Sequence, residues 1–476
     1  MRLLFITPDV TPITGTSPIG DLSAALPKAL IGHDHEVMVI APLYAHVDPS
    51  ARGLGRRLRK VEATLAGDET VAFTVFDART AAGVEMMFLG QEELFGATGG
   101  DVPDVPDGLR YGAFCRAAVE VARADEKGFD VIHAHGWPMA MVPLIAAELD
   151  LSMGTVLTLH GDANPDAMNL GAVDTATLKR LRLGPLAKED ALQVEGAVSL
   201  LRAGVQDADR VTTISPTYAS EIRGGGPLSE VLTTREDELV GIMGGVDAAV
   251  WNPATDSHLD TRFDPMDRSG KRACKAALQE ELDFPVRDDV PLVVAFGPLL
   301  AESGFDALAR TVSRVMRADV QLAVLVEADA PNDDSLVAVL REHAKRWPDR
   351  MALSLEGDAS MIHRGIAGAD LVMLPPGATL DSMAIRAQRY GALPIGPRAG
   401  VVADSIVDCA PDLKSGTGFL YEATDDGLLS AVQRSVGAYS KVGAFEKLRA
   451  RAMRGDHSWE RAAYLYERIY TSVTNL

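Results

Sequence analysis

RLLFITPDVTPITGTSPIGDLSAALPKAL, residues 2–30, opens with a short apolar run from Leu3 to Ile6. It passes through a loop rich in Pro, Thr and Gly and enters an amphipathic segment from Asp21 to Leu30. Strand, loop and helix start in this order are how α/β folds offer a helix N-terminus to a phosphate. The loop itself, GTSPIGD at 15–21, carries no cation. Pro18 stands where a backbone donor would be useful, and proline has no N–H to give.

The same alternation continues along the chain. Apolar runs EVMVIAP, VIHAH, TVLTLH and RVTTIS fall in the first half, and PLVVAFG, QLAVLVE, DLVMLP and ALPIGP in the second. Helix-length segments such as YGAFCRAAVEVARAD and DSLVAVLREHAKRW separate them. Short, continuous apolar strands spaced by helices predict parallel sheets covered on both faces. The rhythm pauses once, at the turn-rich GGVDAAVWNPATDSHLDTRFD, which reads as a linker between two doubly wound halves. The closing SWERAAYLYERIYTSV reads as one amphipathic helix. Ligands of open α/β sheets bind beyond the carboxyl ends of the strands, so the loops after each run are the ones to read for a site. Two such sheets face to face would enclose a cleft.

A chain of 476 residues is long enough for two or three domains. Its hydrophobic content of 47% and charged content of 24% are those of a globular protein, and no apolar run approaches membrane-spanning length. Arg2 leads straight into a strand with no signal-like core, so a cytoplasmic location is expected. The net charge of −21 argues against nucleic acid or an anionic membrane as partner, since both need a basic footprint. Cys115, Cys274 and Cys409 lie far apart without C-x-x-C spacing, which predicts buried reduced thiols; no metal is expected.

Several phrases together resemble the bacterial glycogen and starch synthases. They are ALPKAL (25–30), VIHAHGW (131–137), DADRVTTISPTYASEI (207–222), GVDAAVWNPATD (245–256), SGKRACKAALQEEL (269–282), AGADLVMLP (367–375), RYGALPI (389–395), GTGFLYE (416–422) and SWERAA (458–463). They run from the first strand to the last helix in the family's order. The resemblance implies the GT-B fold: two facing Rossmann-like domains with a cleft between them. It also implies a retaining transfer of glucose from ADP-glucose to an α-1,4-glucan, with ADP-glucose as substrate and no cofactor. The implied domains are an acceptor-side domain at 1–245, a nucleotide-sugar domain at 250–455, and a final helix at 456–476 returning to the first.

The resemblance also says which residues to inspect, and there the chain departs from the family. The first loop of the family reads K-T-G-G-L-x-D; here Gly15 replaces the Lys and Pro18 a Gly, while Thr16 and Asp21 match and Gly20 adjoins them. Asp21 reads either as a substrate contact or as the N-cap of the following helix. The family's D-W-H or D-W-Q becomes Gly136, Trp137 and Pro138, leaving Trp137 for packing or stacking. His160 matches the family's T-I-H-N, with Gly161 after it, and is the one candidate catalytic side chain, equally readable as a satisfied core histidine.

In the second half the diphosphate-binding S-R-L-T-x-Q-K-G becomes GPLLAESG, with Pro298 for Arg, Ser303 for Lys and Glu302 beside it. G-S-G-D becomes Glu327, Ala328, Asp329 and Ala330. The Glu of E-P-C-G-L-T-Q falls on Ala378, no glutamate occurs between Asp370 and Arg389, and Asp381 is the acid within that segment. Arg398 and Gly400 remain as candidate substrate-binding residues, and Arg364 is a further cation able to substitute for those lost. A departing diphosphate needs such cations, and losing one donor typically costs about 10²–10³ in rate. The implied reading is a glycogen synthase-like protein that has lost glucosyl transfer and serves as a glucan-binding or regulatory partner of a glycogen enzyme. The alternatives are an active transferase with ADP-glucose or another nucleotide-sugar and an α-1,4-glucan or changed acceptor, and a cleft adopted for an unrelated small molecule.

Overall fold

In the computed structural model, which describes residues 1–96, 105–161, 171–194, 196–235, 238–328, 330–380 and 382–474, the chain forms two units. Met1–Gly244 and Trp459–Leu476 make the first, and Gly245–Ser458 the second.

The first unit grows around β1 (Arg2–Ile6), which pairs in parallel with β2 (Glu36–Pro42) and with β6 (Val131–His135). Beyond β6 lie β7 (Gly154–Leu159), β11 (Arg210–Thr213) and β12 (Leu239–Gly241), all parallel. On the other side β2 pairs in parallel with β5 (Glu85–Gly90), and there the pattern changes: β4 (Thr70–Arg79) and β3 (Gly55–Thr64) add on antiparallel. The result is a nine-stranded sheet ordered β12-β11-β7-β6-β1-β2-β5-β4-β3. The uniformly parallel sheet expected from the apolar runs is therefore corrected at one edge. β3 escapes notice in the sequence because its residues GRRLRKVE are not apolar; cations on an edge strand discourage pairing with other chains. A separate small sheet, β8-β10-β9, joins β8 (Ala172–Val173), β9 (Gln193–Val194) and β10 (Ala197–Ser199).

Side chains alternate across the sheet with period two. Leu3 and Phe5 enter a core shared with helix Pro18–Gly32 and with Ala462, Tyr466 and Tyr470 of helix Glu460–Thr474, while Leu4 and Ile6 are equally buried on the other face.

The second unit holds a six-stranded parallel sheet, β15-β14-β13-β16-β17-β18, made of β13 (Leu292–Phe296), β14 (Gln321–Glu327), β15 (Met351–Gly357), β16 (Leu371–Met373), β17 (Leu393–Pro397) and β18 (Phe419–Tyr421). Val293 and Ala295 of β13 pack toward helices Phe305–Val315 and Asp425–Tyr439. Leu292, Val294 and Phe296 pack toward helices Ser269–Glu281 and Ala359–Gly368. Both faces are covered, which is why these strands read as continuous apolar runs.

The segment read as a linker is not a loose tether. The Asp256 carboxylate accepts from Tyr390 Oη at 2.5 Å and lies 2.7 Å from His363 Nδ1, and Trp251 stacks on His363 at 4.1 Å. Among the described residues no helix is long and apolar enough to cross a membrane.

Candidate functional site

The loop after β1 is organised by Asp9, a residue the motif comparison does not single out. Its carboxylate accepts from the Thr14 hydroxyl at 2.5 Å, from the Val10 N–H at 2.8 Å and from the Ser17 hydroxyl. Ser17 in turn accepts from Gly20 N–H at 3.0 Å and is the N-cap of helix Pro18–Gly32. The N-cap reading of Asp21 is thus corrected: the helix starts three residues earlier, and Asp21 sits in its first turn. Pro18 takes the first helical position, where an N–H has no intrahelical partner, so its ring costs the fold nothing and removes only a donor that could face a ligand. Gly20 is buried against this network, and a Cβ there would lie 2.7 Å from Asp9 Oδ2 and from Thr11 Oγ1. Thr16 is exposed and Gly15 half-buried. A carboxylate followed within eight residues by Thr and Ser, just after a strand, was the sequence signal for Asp9.

At the end of β6, Gly136 has φ +71° and ψ 175°, a region essentially restricted to glycine, and its N–H donates to Thr158 O at 2.9 Å. The acidic residue expected from the family is not simply truncated here; the backbone has taken a path that disfavours any side chain. Trp137 packs edge-on against Tyr111 at 5.4 Å, and Tyr111 meets Tyr44, whose hydroxyl donates to Pro8 O at 2.8 Å. The tryptophan is therefore tied back to the first loop.

His160 follows β7 and is buried, with its Nε2 3.2 Å from His135 Nδ1. His135 lies 4.0 Å, centroid to centroid, from His133, which reaches Tyr470 Oη at 2.8 Å and Thr158 Oγ1 at 2.6 Å. Burial holds His160 down to about 3, and burial together with neighbouring imidazoles holds His133 and His135 well below the usual range. All three are neutral at pH 7, so His160 can offer or accept one hydrogen bond but brings no charge. Among the described residues His135 Nε2 is buried with no hydrogen-bond partner. The loop continuing from Gly161 runs into 162–170, outside the described residues.

In the second unit, the loop 297–304 after β13 folds against 375–378 after β16. Leu299 N–H donates to Asn332 Oδ1 at 2.8 Å, which draws the loop after β14 into the same cluster. Gly304 has φ +80°, and a Cβ on it would lie 2.5 Å from Gly377 N; one on Gly377 would lie 1.9 Å from Glu302 O. These two glycines let the loops meet backbone to backbone. Pro298 and Ser303 are half-buried, Glu302 is exposed, and Ala378 donates its N–H to Pro375 O at 2.9 Å. Asp329 and Asp381 lie outside the described residues.

Arg398, after β17, is the one cation among the described residues of the loops that follow the strands of this sheet. It is held by Glu422 and Asp408, each at 3.2 Å. Gly400, φ +51°, fits against Thr379 O, which a Cβ would approach to 2.6 Å. Arg364 is turned elsewhere, paired with Glu281 through contacts of 3.1 and 2.8 Å. Cys115 and Cys409 are buried and Cys274 half-buried. Among the described residues no group of three or more His, Cys, Asp or Glu is placed to hold a metal ion.

The starch synthase catalytic domain profile matches residues 2–234. Over its whole length the chain is similar to curated glycogen synthases. It is 34% identical to that of Anaeromyxobacter sp. (strain Fw109-5) over 492 residues and 31% identical to that of Geotalea daltonii over 491, covering 99% of each chain in both cases. Among solved structures it is similar to the catalytic domain of Starch Synthase IV from Arabidopsis thaliana bound to ADP and acarbose. The TM-score is 0.87 at 25% identity, covering 100% of this chain and 99% of that one. Sucrose-phosphate synthase from Thermosynechococcus elongatus shares the fold, with a TM-score of 0.61 at 14% identity.

Proposed function

The chain belongs to the glycogen and starch synthase family of GT-B glycosyltransferases, and on that premise we propose that it transfers a glucosyl unit from ADP-glucose or another nucleotide-sugar to an α-1,4-glucan or a changed acceptor. The observation that carries this reading is the whole-chain likeness, 99% of the sequence at 31–34% identity to glycogen synthases. In this reading the second unit, about 250–455, takes the nucleotide-sugar on the loops 297–304, 375–382 and 398–400. The first, about 1–245, takes the acceptor near Thr16, Gly20, Asp21, Trp137 and His160, and the helix from 456 completes it. The protein works in the cytoplasm.

In the absence of a loop Lys and Arg, the diphosphate would have to be met by Arg398, released from Asp408 and Glu422, and by backbone N–H groups around Gly304 and Gly377. A pair this exposed contributes only about 0–1 kcal/mol, so releasing it is cheap.

The second reading, a glucan-binding or regulatory partner without transfer, is favoured by one specific observation. Pro298, Ser303 and Ala378 stand at three positions where the family places Arg, Lys and Glu, and a diphosphate leaving group carries about two charges that need partners. Radiolabelled ADP-glucose, UDP-glucose and GDP-glucose, each incubated with glycogen and the full-length chain, decide between them. Label incorporated into glycogen supports transfer. No label with any donor, while the protein still co-sediments with glycogen, overturns it in favour of the second reading; no label and no co-sedimentation overturns both.

A further inference from the structure

At the opposite, amino edge of the second unit's sheet lies a cavity of about 1020 Å³, well away from the loops discussed above. Asp288 and Asp289 on its wall lie four and three residues before Leu292, the start of β13, and Asp370 immediately precedes β16. Against a chain of net charge −21, basic side chains among the described lining residues outnumber acidic ones six to four.

Its floor is rigid. Asp370 is buried between Lys275 Nζ and Arg449 Nη2, both at 2.7 Å, and Lys275 also donates to Tyr439 Oη at 2.8 Å. Burial alone would raise the Asp370 carboxyl, but the two cations hold it below the usual carboxylate range. A floor in which every charge is met is a preorganised surface, not a sink for a ligand.

The mouth differs. Arg272 is exposed and its Nε is 3.3 Å from Asp288 in a loose pair. Arg268 is half-buried: its Nε stands 3.5 Å from Glu446 Oε2 and makes no hydrogen bond among the described residues, while its Nη1 donates to Pro265 O at 2.6 Å. Loose surface pairs are worth little and re-pair readily with a better anion. Two helices also begin here, Ser269–Glu281 and Val442–Met453, and neither has a side-chain cap from its N-cap residue, Arg268 or Lys441; the Asp267 carboxylate accepts from both the N–H and the side chain of Ser269. Each helix start adds a partial positive charge. The rest of the wall is mixed: the Arg287–Asp289 pair and Ser440 are polar, Tyr439 and Phe445 are aromatic, and Val286 and Val442, 53% and 68% exposed, form an apolar rim.

We propose that this cavity binds a small phosphate monoester carrying a flat or apolar body. Its phosphoryl group lies between Arg268, Arg272 and the two helix starts, and its body against Tyr439, Phe445 and the two exposed valines. The size is that of a ligand pocket. The proposal is independent of the transfer reaction, because it uses none of the residues assigned to it.

The test is calorimetric titration of the full-length chain with inorganic phosphate, pyrophosphate and AMP at matched ionic strength. AMP is expected to bind saturably and more tightly than phosphate. Arg272→Glu is expected to weaken AMP binding at least about tenfold, the scale of one lost charge-assisted hydrogen bond. Arg272→Lys should retain most of it. A thermal-unfolding midpoint for Arg272→Glu equal to the parent's verifies the fold. The proposal is overturned if none of the three probes binds saturably, or if AMP binding is indifferent to Arg272→Glu or is abolished by Arg398→Ala, which would place the nucleotide on the loops at the other end of the strands.

Discussion

Acidification should unfold the first unit through its buried histidines, and the size of the effect follows from the cluster. His133, His135 and His160 are neutral in the folded chain, with His160 held at about 3 and the other two well below 6.5, in each case because burial penalises the charged ring. In the unfolded chain each titrates near 6.5. Below that pH the unfolded state takes up protons that the folded state refuses, so the stability these residues contribute is complete above about pH 7. It is lost progressively as pH falls from 6.5 toward the folded values. Each histidine costs about 1.4 kcal/mol per pH unit in that window, so about 2 kcal/mol at pH 5, and the three together about 6 kcal/mol. That is comparable with the whole stability of an ordinary domain, about 5–15 kcal/mol.

The assay is urea unfolding at pH 7 and pH 5 in a Trp251→Phe, Trp347→Phe background, so that fluorescence reports Trp137 and Trp459 of the first unit. His160→Gln and His135→Gln should each lower stability at pH 7. More tellingly, each should shrink the difference between pH 7 and pH 5 by about 2 kcal/mol, because one titrating group is gone. Carboxylates elsewhere titrate in parent and variant alike and cancel in the comparison. An unchanged pH difference in both variants would refute the argument, since it would mean that these rings are already protonated, or equally protonatable, in the folded chain.

Three further outcomes are expected. Asp370→Asn leaves Lys275 and Arg449 buried beside a neutral amide and should cost about 3–5 kcal/mol in urea unfolding of the second unit. Gly377→Ala puts a Cβ 1.9 Å from Glu302 O, so the loops 297–304 and 375–378 must part; a stability loss of about 1–3 kcal/mol is expected, with weakened nucleotide binding by calorimetry. Pro298→Arg combined with Ser303→Lys should tighten ADP binding at least about tenfold if that loop faces the diphosphate, and an unchanged affinity would remove the loop from the donor site.

Much of this protein was legible from local pattern. Leu3–Ile6 followed by a Gly- and Pro-rich turn, and the repeated apolar runs after it, specify covered parallel strands because side-chain alternation is a short-range property. So are the phrases that resemble the family, and so is the absence of a cation from GPLLAESG. What sequence alone could not show were partners. Whether Asp21 or Ser17 caps the first helix depends on where the backbone turns, which Asp9 arranges from twelve and eight residues away.

His160 read equally as a ligand or a core histidine, and only the stacking of β6 beside β7 puts His135 against it and takes both out of water. Arg398 and Arg364 read as spare cations, but the folded chain gives each a carboxylate partner, Asp408 and Glu422 for one and Glu281 for the other. Gly136 read as a lost side chain, whereas its ψ of 175° makes it a backbone requirement. The basic cavity joins residues from 268 to 449 and has no sequence signature at all. The alternation of apolar and polar residues determined the layers; burial and charge pairing, which act between residues distant in the chain, decided what the loops of those layers carry. The loop at 15–21 shows both: its sequence predicts a strand-to-helix turn with few donors, and the fold places Pro18 at the start of the helix, where the missing N–H leaves stability untouched and affects only what the loop can bind.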